Sequence, residues 1–169
     1  MSVPDETIHL SLLVINDDAK IRSTIETYLV DRGHRVFLAE NGPNGLKILQ
    51  RESIDIVITD VKMTGMDGFE VLQEVKRLSP GTEVIIITGF KEIENAFRAI
   101  REGAFDFFTK PLKIQDLSAS LQRTLRFQAL RREKDRVQAQ LDRLTEPSGG
   151  LSAILGAGSA VQAVKDQIR

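Results

Sequence analysis

The sequence predicts an α/β fold, a five-stranded parallel sheet wound on both faces by helices, and three observations carry that prediction. Short runs rich in Val, Ile, Leu and Phe recur at residues 10–15, 34–39, 54–59, 84–88 and 105–109. Between them lie stretches whose apolar residues fall three or four apart, the period of a helix buried on one side. Each β-branched run also ends in polar or hydroxyl-bearing residues, as strands do where they reach the edge of a sheet. Strands alternating with helices at this spacing form βα units, and such units build a parallel sheet covered on both faces.

Each element has its own signal. The run 10–15 ends abruptly in Asn16-Asp17-Asp18, and Asp18 is placed to cap the following helix. That helix carries Ile21, Ile25, Tyr28 and Leu29 on one stripe and stops at Gly33. After strand 34–39, Asn41-Gly42-Pro43 turns the chain into a helix bearing Leu46, Ile48 and Leu49. Ile54, Ile56, Val57 and Ile58 are nearly continuous, as suits a strand buried on both faces, and they deliver Asp60 to its C-terminal edge. Met63-Thr64-Gly65-Met66-Asp67-Gly68 makes a tight loop, with an Asp to start the helix over 69–78; Ser79-Pro80-Gly81 closes that helix. The fourth strand ends in Thr88, a helix covers 92–101, and the fifth strand ends at Lys110-Pro111.

Composition narrows the functional classes. The 169 residues, 41% of them hydrophobic, suit one domain of ordinary size with an appendage. A net charge of −1 and a pI near 6.2 argue against a surface that coats nucleic acid. With no cysteine, disulfides and thiolate metal sites are excluded, and an intracellular location is the simpler expectation. No apolar run is long enough to cross a bilayer, and the opening MSVPDETIH lacks the basic-then-apolar pattern of a secretion signal. The cytoplasm is the expected location.

The strand ends hold the chemistry. Asn16, Asp17, Asp18, Asp60, Thr88 and Lys110 all fall at C-terminal strand edges, where open α/β sheets bind ligands, so they can share one crevice. Taken singly, each has a plainer reading: the acids start helices, the threonine fills a strand, the lysine is a surface cation. Taken together, clustered carboxylates repel one another, and a hard divalent cation with oxygen ligands, Mg²⁺, relieves the repulsion. A lysine is a point charge suited to a phosphoryl oxygen, and a threonine hydroxyl can donate to another. The set is suited to holding a phosphoryl group on or beside Asp60, whose carboxylate can serve as nucleophile.

The segments LLVINDDAKIRSTIETYLVDRGHRV, IVITDVKMTGMDGFEVL, VIIITGF and GAFDFFTKPL resemble, in this order, the four signature blocks of the receiver domain of two-component response regulators. The resemblance covers roughly residues 8–127. It implies a flavodoxin-like doubly wound sheet of strand order 2-1-3-4-5 and a regulatory switch, not an enzyme, that accepts a phosphoryl group from a phosphohistidine of a sensor histidine kinase. By position it makes Asp60 the phosphoacceptor and a metal ligand, Asp17 a direct ligand of Mg²⁺, and the Lys62 carbonyl a backbone ligand. Lys110 becomes the phosphoryl partner, Thr88 the switch hydroxyl and Phe107 the switch aromatic, with a cis peptide at Lys110-Pro111. Two positions depart from the pattern. Asn16 replaces the first member of an acid pair that reaches the metal through water, which implies weaker metal binding. Thr64 stands where proline is common. Lys62 and Phe90 flank the line of hydrolytic attack and cannot orient a water, which implies a long-lived phosphoryl-aspartate.

Other readings stay open beside this one. A pseudo-receiver would fold alike and serve as a dimerisation module switched without phosphorylation. A phosphatase of the haloacid dehalogenase type needs Asp-x-Asp after the first strand, which is absent. A flavodoxin-like binder wants a hydroxyl-rich phosphate loop where this chain has acids.

From Lys113 to Glu146 neither glycine nor proline interrupts a helical pattern. Ile114, Leu117, Leu121 and Leu125 can face the sheet. Phe127, Leu130, Val137, Leu141 and Leu144 then follow alternating steps of three and four, with Lys134 interrupting, which is the a/d seam of a coiled coil. A parallel homodimer through the last receiver helix and a linker helix at 128–146 is expected; the alternative is one amphipathic helix lying on its own domain. Arg123, Arg126, Arg131 and Arg132 are interleaved with Glu133 and Asp135 and read as a solvated helix face without direct nucleic-acid contact. Pro147-Ser148-Gly149-Gly150 reads as a linker. The segment ILGAGSAVQAVKDQIR lacks a phosphate-loop Gly-Lys-Ser/Thr and resembles the opening of the AAA+ module of NtrC-like, sigma-54-dependent activators. The expected layout is a receiver at 1–127 with its last helix from about 113, a linker helix at 128–146, and at 147–169 the start of a downstream AAA+ module, without the ATPase or DNA-binding parts.

Overall fold

The computed structural model describes residues 8–89 and 93–145 of the chain. Five strands alternate with five helices: β1 (Ser11–Ile15), α1 (Ala19–Asp31), β2 (Arg35–Ala39), α2 (Gly42–Arg51), β3 (Ile56–Asp60), α3 (Gly68–Leu78), β4 (Glu83–Thr88), α4 (Ile93–Arg101), β5 (Asp106–Thr109) and α5 (Ile114–Thr145). All strand pairs are parallel, and the order is β2-β1-β3-β4-β5. The doubly wound sheet and its expected order are therefore present. The chain divides between Arg126 and Phe127, within α5, into two units.

In the first unit, alternation along the central strands sends side chains to two cores. Leu13, Ile15, Val57, Val84 and Ile86 pack with Leu49 of α2, Phe69, Leu72 and Val75 of α3, and Ala99 of α4. Leu12, Val14, Ile56, Ile58, Ile85 and Ile87 pack on the other face with Ile25 and Leu29 of α1 and Leu117 and Leu121 of α5. Every residue of β3 and β4 is buried, which explains why those runs are nearly continuous instead of alternating.

The helix starts follow local chemistry. Asp18 caps α1 by accepting from the Lys20 and Ile21 amides, and Gly33 takes φ +84° just beyond its end. Asn41 caps α2, with proline in the first turn. Asp67 and Glu70 form a reciprocal capping box at the start of α3.

Some boundaries differ from expectation. Asp60 is the last residue of β3, inside the ladder and not beyond it. β4 begins one residue early at Glu83, buried there because Lys76 of α3 reaches it at 3.3 Å and also donates to Thr82 O at 2.8 Å. Arg123 is exposed, as expected of a solvated face, and ion-pairs there with Asp106 of β5. Phe90, the residue expected to open α4 at 92, and the segment from 146 onward lie outside the described residues.

In the second unit, residues 127–145 of α5 carry an Arg136–Glu133 ion pair at 3.1 Å and a Gln138–Asp142 hydrogen bond at 2.9 Å. Their apolar stripe is open to solvent in the single chain: Leu130 is 71% exposed and Leu144 82%, and Phe127, Val137 and Leu141 are exposed as well. Among the described residues no helix is long and apolar enough to cross a membrane.

Candidate functional site

Asp60 is the centre of the C-terminal sheet edge. Thr59 pairs with Ile15 of β1 and Asp60 with Ile87 of β4, so the carboxylate lies between the ends of its two neighbouring strands. It is only 2% exposed. Burying a charged carboxylate is costly unless it is paired and hydrogen-bonded. Here Lys110 Nζ donates to Oδ2 at 2.5 Å, and the Lys62 amide donates to Oδ1 at 3.2 Å. The amine comes from 50 residues away because the Lys110 amide continues the β4–β5 pairing by donating to Thr88 O at 2.8 Å. The Lys110-Pro111 peptide is cis, as the resemblance implied.

The start of α3 is pressed against this acid. The Gly68 amide donates to Val61 O at 2.9 Å, and a Cβ on Gly68 would fall 2.3 Å from Asp60 O and 2.8 Å from Val61 Cα. Only glycine fits that approach, a requirement the sequence signalled merely as a loop glycine.

The acidic turn is fastened at several points. The Asn16 amide donates to Ala39 O at 3.1 Å, its Oδ1 accepts from the Asp18 amide at 2.9 Å, and Arg22 Nη1 donates to its backbone carbonyl at 2.5 Å. Arg22 was missed in the sequence because an arginine on the polar side of a helix looks like any solvated cation. Asp17, by contrast, is exposed and has no hydrogen-bonding or ionic partner among the described residues. It opens on a cleft lined also by Val61, Lys62, Met63, Thr64 and Asp67.

These residues fit a hard cation. Among the described residues no three His, Cys, Asp or Glu side chains cluster as a ready metal site. The donors beside the cleft are instead the unpartnered Asp17 carboxylate, Asp60 Oδ1 with one hydrogen bond and a lone pair to spare, and the carbonyl of the cleft-lining Lys62. Few protein oxygens with room for water is the coordination that Mg²⁺ prefers.

The remaining expected residues lie nearby. Thr88 is fully buried at the end of β4, adjacent to the Asp60 strand. Phe107, on β5, is partly buried against the core formed with α2, α3 and α4. One further contact had no sequence signal. Arg98 of α4 lies 4.0 Å over the Phe69 ring and donates from Nε to Glu102 at 2.7 Å. The hydrogen bond to Glu102 raises the guanidinium pKa above its usual value, against desolvation and with smaller help from the charges of Glu102 and the cap residue Asp67.

A parallel sheet of this order, with a buried acid held by a lysine at its carboxyl edge, is the receiver architecture. Residues 12–122 match the response regulator receiver domain, and the chain belongs to that family. Among its relatives are the Escherichia coli (strain K12) transcriptional regulatory proteins GlrR and ZraR. GlrR is 39% identical over 101 residues, 60% of this chain and 23% of GlrR; ZraR is 34% identical over 117 residues, 69% of this chain and 26% of ZraR. The chain thus spans about a quarter of the length of these relatives. A receiver domain protein from Clostridium thermocellum superposes with a TM-score of 0.68 at 37% identity, covering 72% of this chain and 98% of that one. NtrX from Brucella abortus superposes with a TM-score of 0.73 at 32% identity over 77% of this chain and 30% of NtrX. The affiliation with receivers of NtrC-like, sigma-54-dependent regulators, read from the sequence, holds.

Proposed function

We propose that this chain is a phosphorylation-controlled receiver in which Asp60 takes a phosphoryl group from a phosphohistidine of a sensor histidine kinase in a Mg²⁺-dependent reaction. The observation that carries this reading is the 2.5 Å contact of Lys110 Nζ with the buried Asp60 carboxylate, which leaves a cation beside the place where a phosphoryl group would form. An Asp60 oxygen attacks phosphorus; the new O–P bond forms as the P–N bond breaks, and the imidazole leaves with that electron pair and picks up a proton. Lys110 and the Lys62 amide are placed to follow negative charge from carboxylate to phosphoryl oxygens. Mg²⁺, when bound by Asp17, Asp60 and the Lys62 carbonyl and reached by Asn16 through water, neutralises part of the phosphoryl charge.

Phosphorylation draws the Thr88 hydroxyl toward the new oxygens, Phe107 turns inward, and the face made by α4, β5 and α5 repacks. Because α5 continues into an apolar stripe that one chain leaves exposed, the partner is a second copy joined through that stripe as a coiled coil, and dimer geometry passes the signal to a downstream AAA+ module. In this reading the receiver runs to residue 127, a linker helix spans 128–146, and 147–169 form a linker and the opening of that module. The setting is the cytoplasm, without direct nucleic-acid contact by this chain. Lys62, exposed and unable to orient a hydrolytic water, supports a long-lived phosphoryl-aspartate.

Incubation with acetyl phosphate and Mg²⁺, read by intact mass, tests the reading. One added phosphoryl group is expected and is lost in Asp60→Asn. No added mass on the wild-type chain, with dimerisation intact, would instead favour the pseudo-receiver, a reading supported by Asn16 at the place of an acid.

A further inference from the structure

We propose that Asn16 donates a hydrogen bond from its side-chain Nδ2 to the phosphoryl group on Asp60, so that the residue acts on the anion directly as well as on the metal. The inference deepens the proposed function and rests on Asp60 being the phosphoryl site.

Asn16 is 1% exposed, and its Nδ2 is buried without a hydrogen-bond partner among the described residues. Buried donors are nearly always satisfied, so an orphan in the middle of a candidate site points to a partner that arrives later. Which end of the amide is the donor follows from its neighbour. The Asp18 N–H needs an acceptor, so the atom 2.9 Å away is Oδ1 and the opposite atom is NH₂.

The fold puts this donor next to the acid. Ile15 pairs with Thr59, so Asn16 is level with Asp60 on the adjoining strand. Leu12 and Val14 lie in the core beneath α1 and α5, as do Ile56 and Ile58 of β3. Continuing that alternation by two residues sends Asn16 and Asp60 to the same face. The unmodified carboxylate already receives Lys110 and the Lys62 amide, and Nδ2 does not bond to it. A phosphoryl group adds three acceptor oxygens beyond the carboxylate, level with Asn16 on the strand beside it.

The interaction exists only once the phosphoryl group is in place. It therefore stabilises the phosphorylated state relative to the free one, which a contact present in both states could not do. A carboxylate at this position has no proton to offer; the amide replaces a second acid's pull on the metal by a direct hold on the anion. Its Oδ1, with one lone pair left after the Asp18 bond, remains able to accept from a metal-bound water.

The test uses the full chain, Mg²⁺ and beryllofluoride as the phosphoryl mimic, followed by ¹⁵N–¹H NMR with the Asn16 side-chain amide assigned by its loss in Asn16→Ala. The Lys62 backbone amide and the Asn16 NH₂ signals are both expected to move downfield on addition of the mimic. In Asn16→Ala, with Mg²⁺ kept saturating for each variant so that the lost water-mediated hold on the metal does not enter the comparison, affinity for the mimic should fall about 5- to 10-fold, the loss of one hydrogen bond to an anion. If Lys62 responds and the Asn16 amide does not, the donor role is overturned while Asp60 keeps its place as the phosphoryl site. If neither responds, the phosphoryl-site reading itself fails and takes the donor role with it.

Discussion

Replacing Gly68 by alanine sets two effects of opposite sign against each other. Alanine is favoured over glycine by about 1 kcal/mol in a helix interior and by less in the first turn, so propensity alone predicts a small gain. Packing predicts a loss. The new Cβ would meet Asp60 O at 2.3 Å, Val61 Cα at 2.8 Å and the Asp60 carbonyl carbon at 2.9 Å, all of them backbone atoms that no rotamer change can move. Carbon contacts normally settle near 3.5–4 Å, roughly an ångström farther out. α3 would have to back away from β3, stretching the 2.9 Å Gly68–Val61 bond and loosening Phe69, Leu72 and Val75 in the core. Overpacking costs about 1–3 kcal/mol, and unyielding neighbours put this site at the upper end, so a net loss of about 2 kcal/mol is expected. The assay is urea unfolding followed by the fluorescence of Tyr28, the chain's single tyrosine in the absence of tryptophan. It lies in α1 with Arg32 3.5 Å over its ring, so it reports on the first unit. At a typical slope of about 1–3 kcal/mol per molar urea, the midpoint should fall by roughly 1 M. Gly81→Ala, which has no atom within 4 Å of its Cβ and no positive φ, is the control and should stay within about 0.5 kcal/mol of wild type. A Gly68→Ala midpoint at or above wild type would refute the claim that α3 is held against Asp60 by backbone contact.

Three further outcomes are expected. Burial, then the neighbouring His9 and Arg32, hold the His34 pKa below its usual 6.5, and its Nδ1 accepts from the Leu10 amide at 3.2 Å. The unfolded chain therefore takes the proton first: stability is full above about pH 6.5 and is lost as pH falls below it, and His34→Gln should flatten that part of the curve of thermal midpoint against pH. Arg98→Ala removes the ring contact with Phe69 and strands Glu102, whose Oε2 is already buried without a hydrogen bond among the described residues; a lower urea midpoint is expected, only partly recovered by lysine. Leu130→Glu with Leu141→Glu should convert dimers to monomers in sedimentation while leaving acetyl phosphate labelling of Asp60 intact, and a dimer that survives both changes would remove the stripe from the interface.

Much of this protein was readable residue by residue. Asp18, Asn41 and the Asp67–Glu70 box announce helix starts because a cap involves atoms two or three residues apart. The β-branched runs of β3 and β4 announce burial on both faces, and the alternation of strands with helical stripes announces a parallel sheet. The polar strand ends by themselves place Asp17, Asp60, Thr88 and Lys110 at one edge, while their roles come from resemblance to the receiver blocks.

Other features depended on which strands become neighbours. The order β3-β4-β5 within the sheet brings Lys110 to 2.5 Å from an acid 50 residues earlier, the lysine reaching past the end of the β4 strand that lies between them. Glu83 looks unsuited to a buried strand until Lys76 is seen above it, and Gly68 looks like loop punctuation until Asp60 O is found in the space a Cβ would fill. Asn16 stands in the sequence where the resemblance implies an acid, whereas the fold turns its carbonyl to the Asp18 amide and leaves its NH₂ buried one strand over from Asp60. Propensity, capping and periodicity act between residues a few positions apart and so are written in the chain itself. Distances between residues far apart arise from sheet order and register, which exist only once the whole chain has packed.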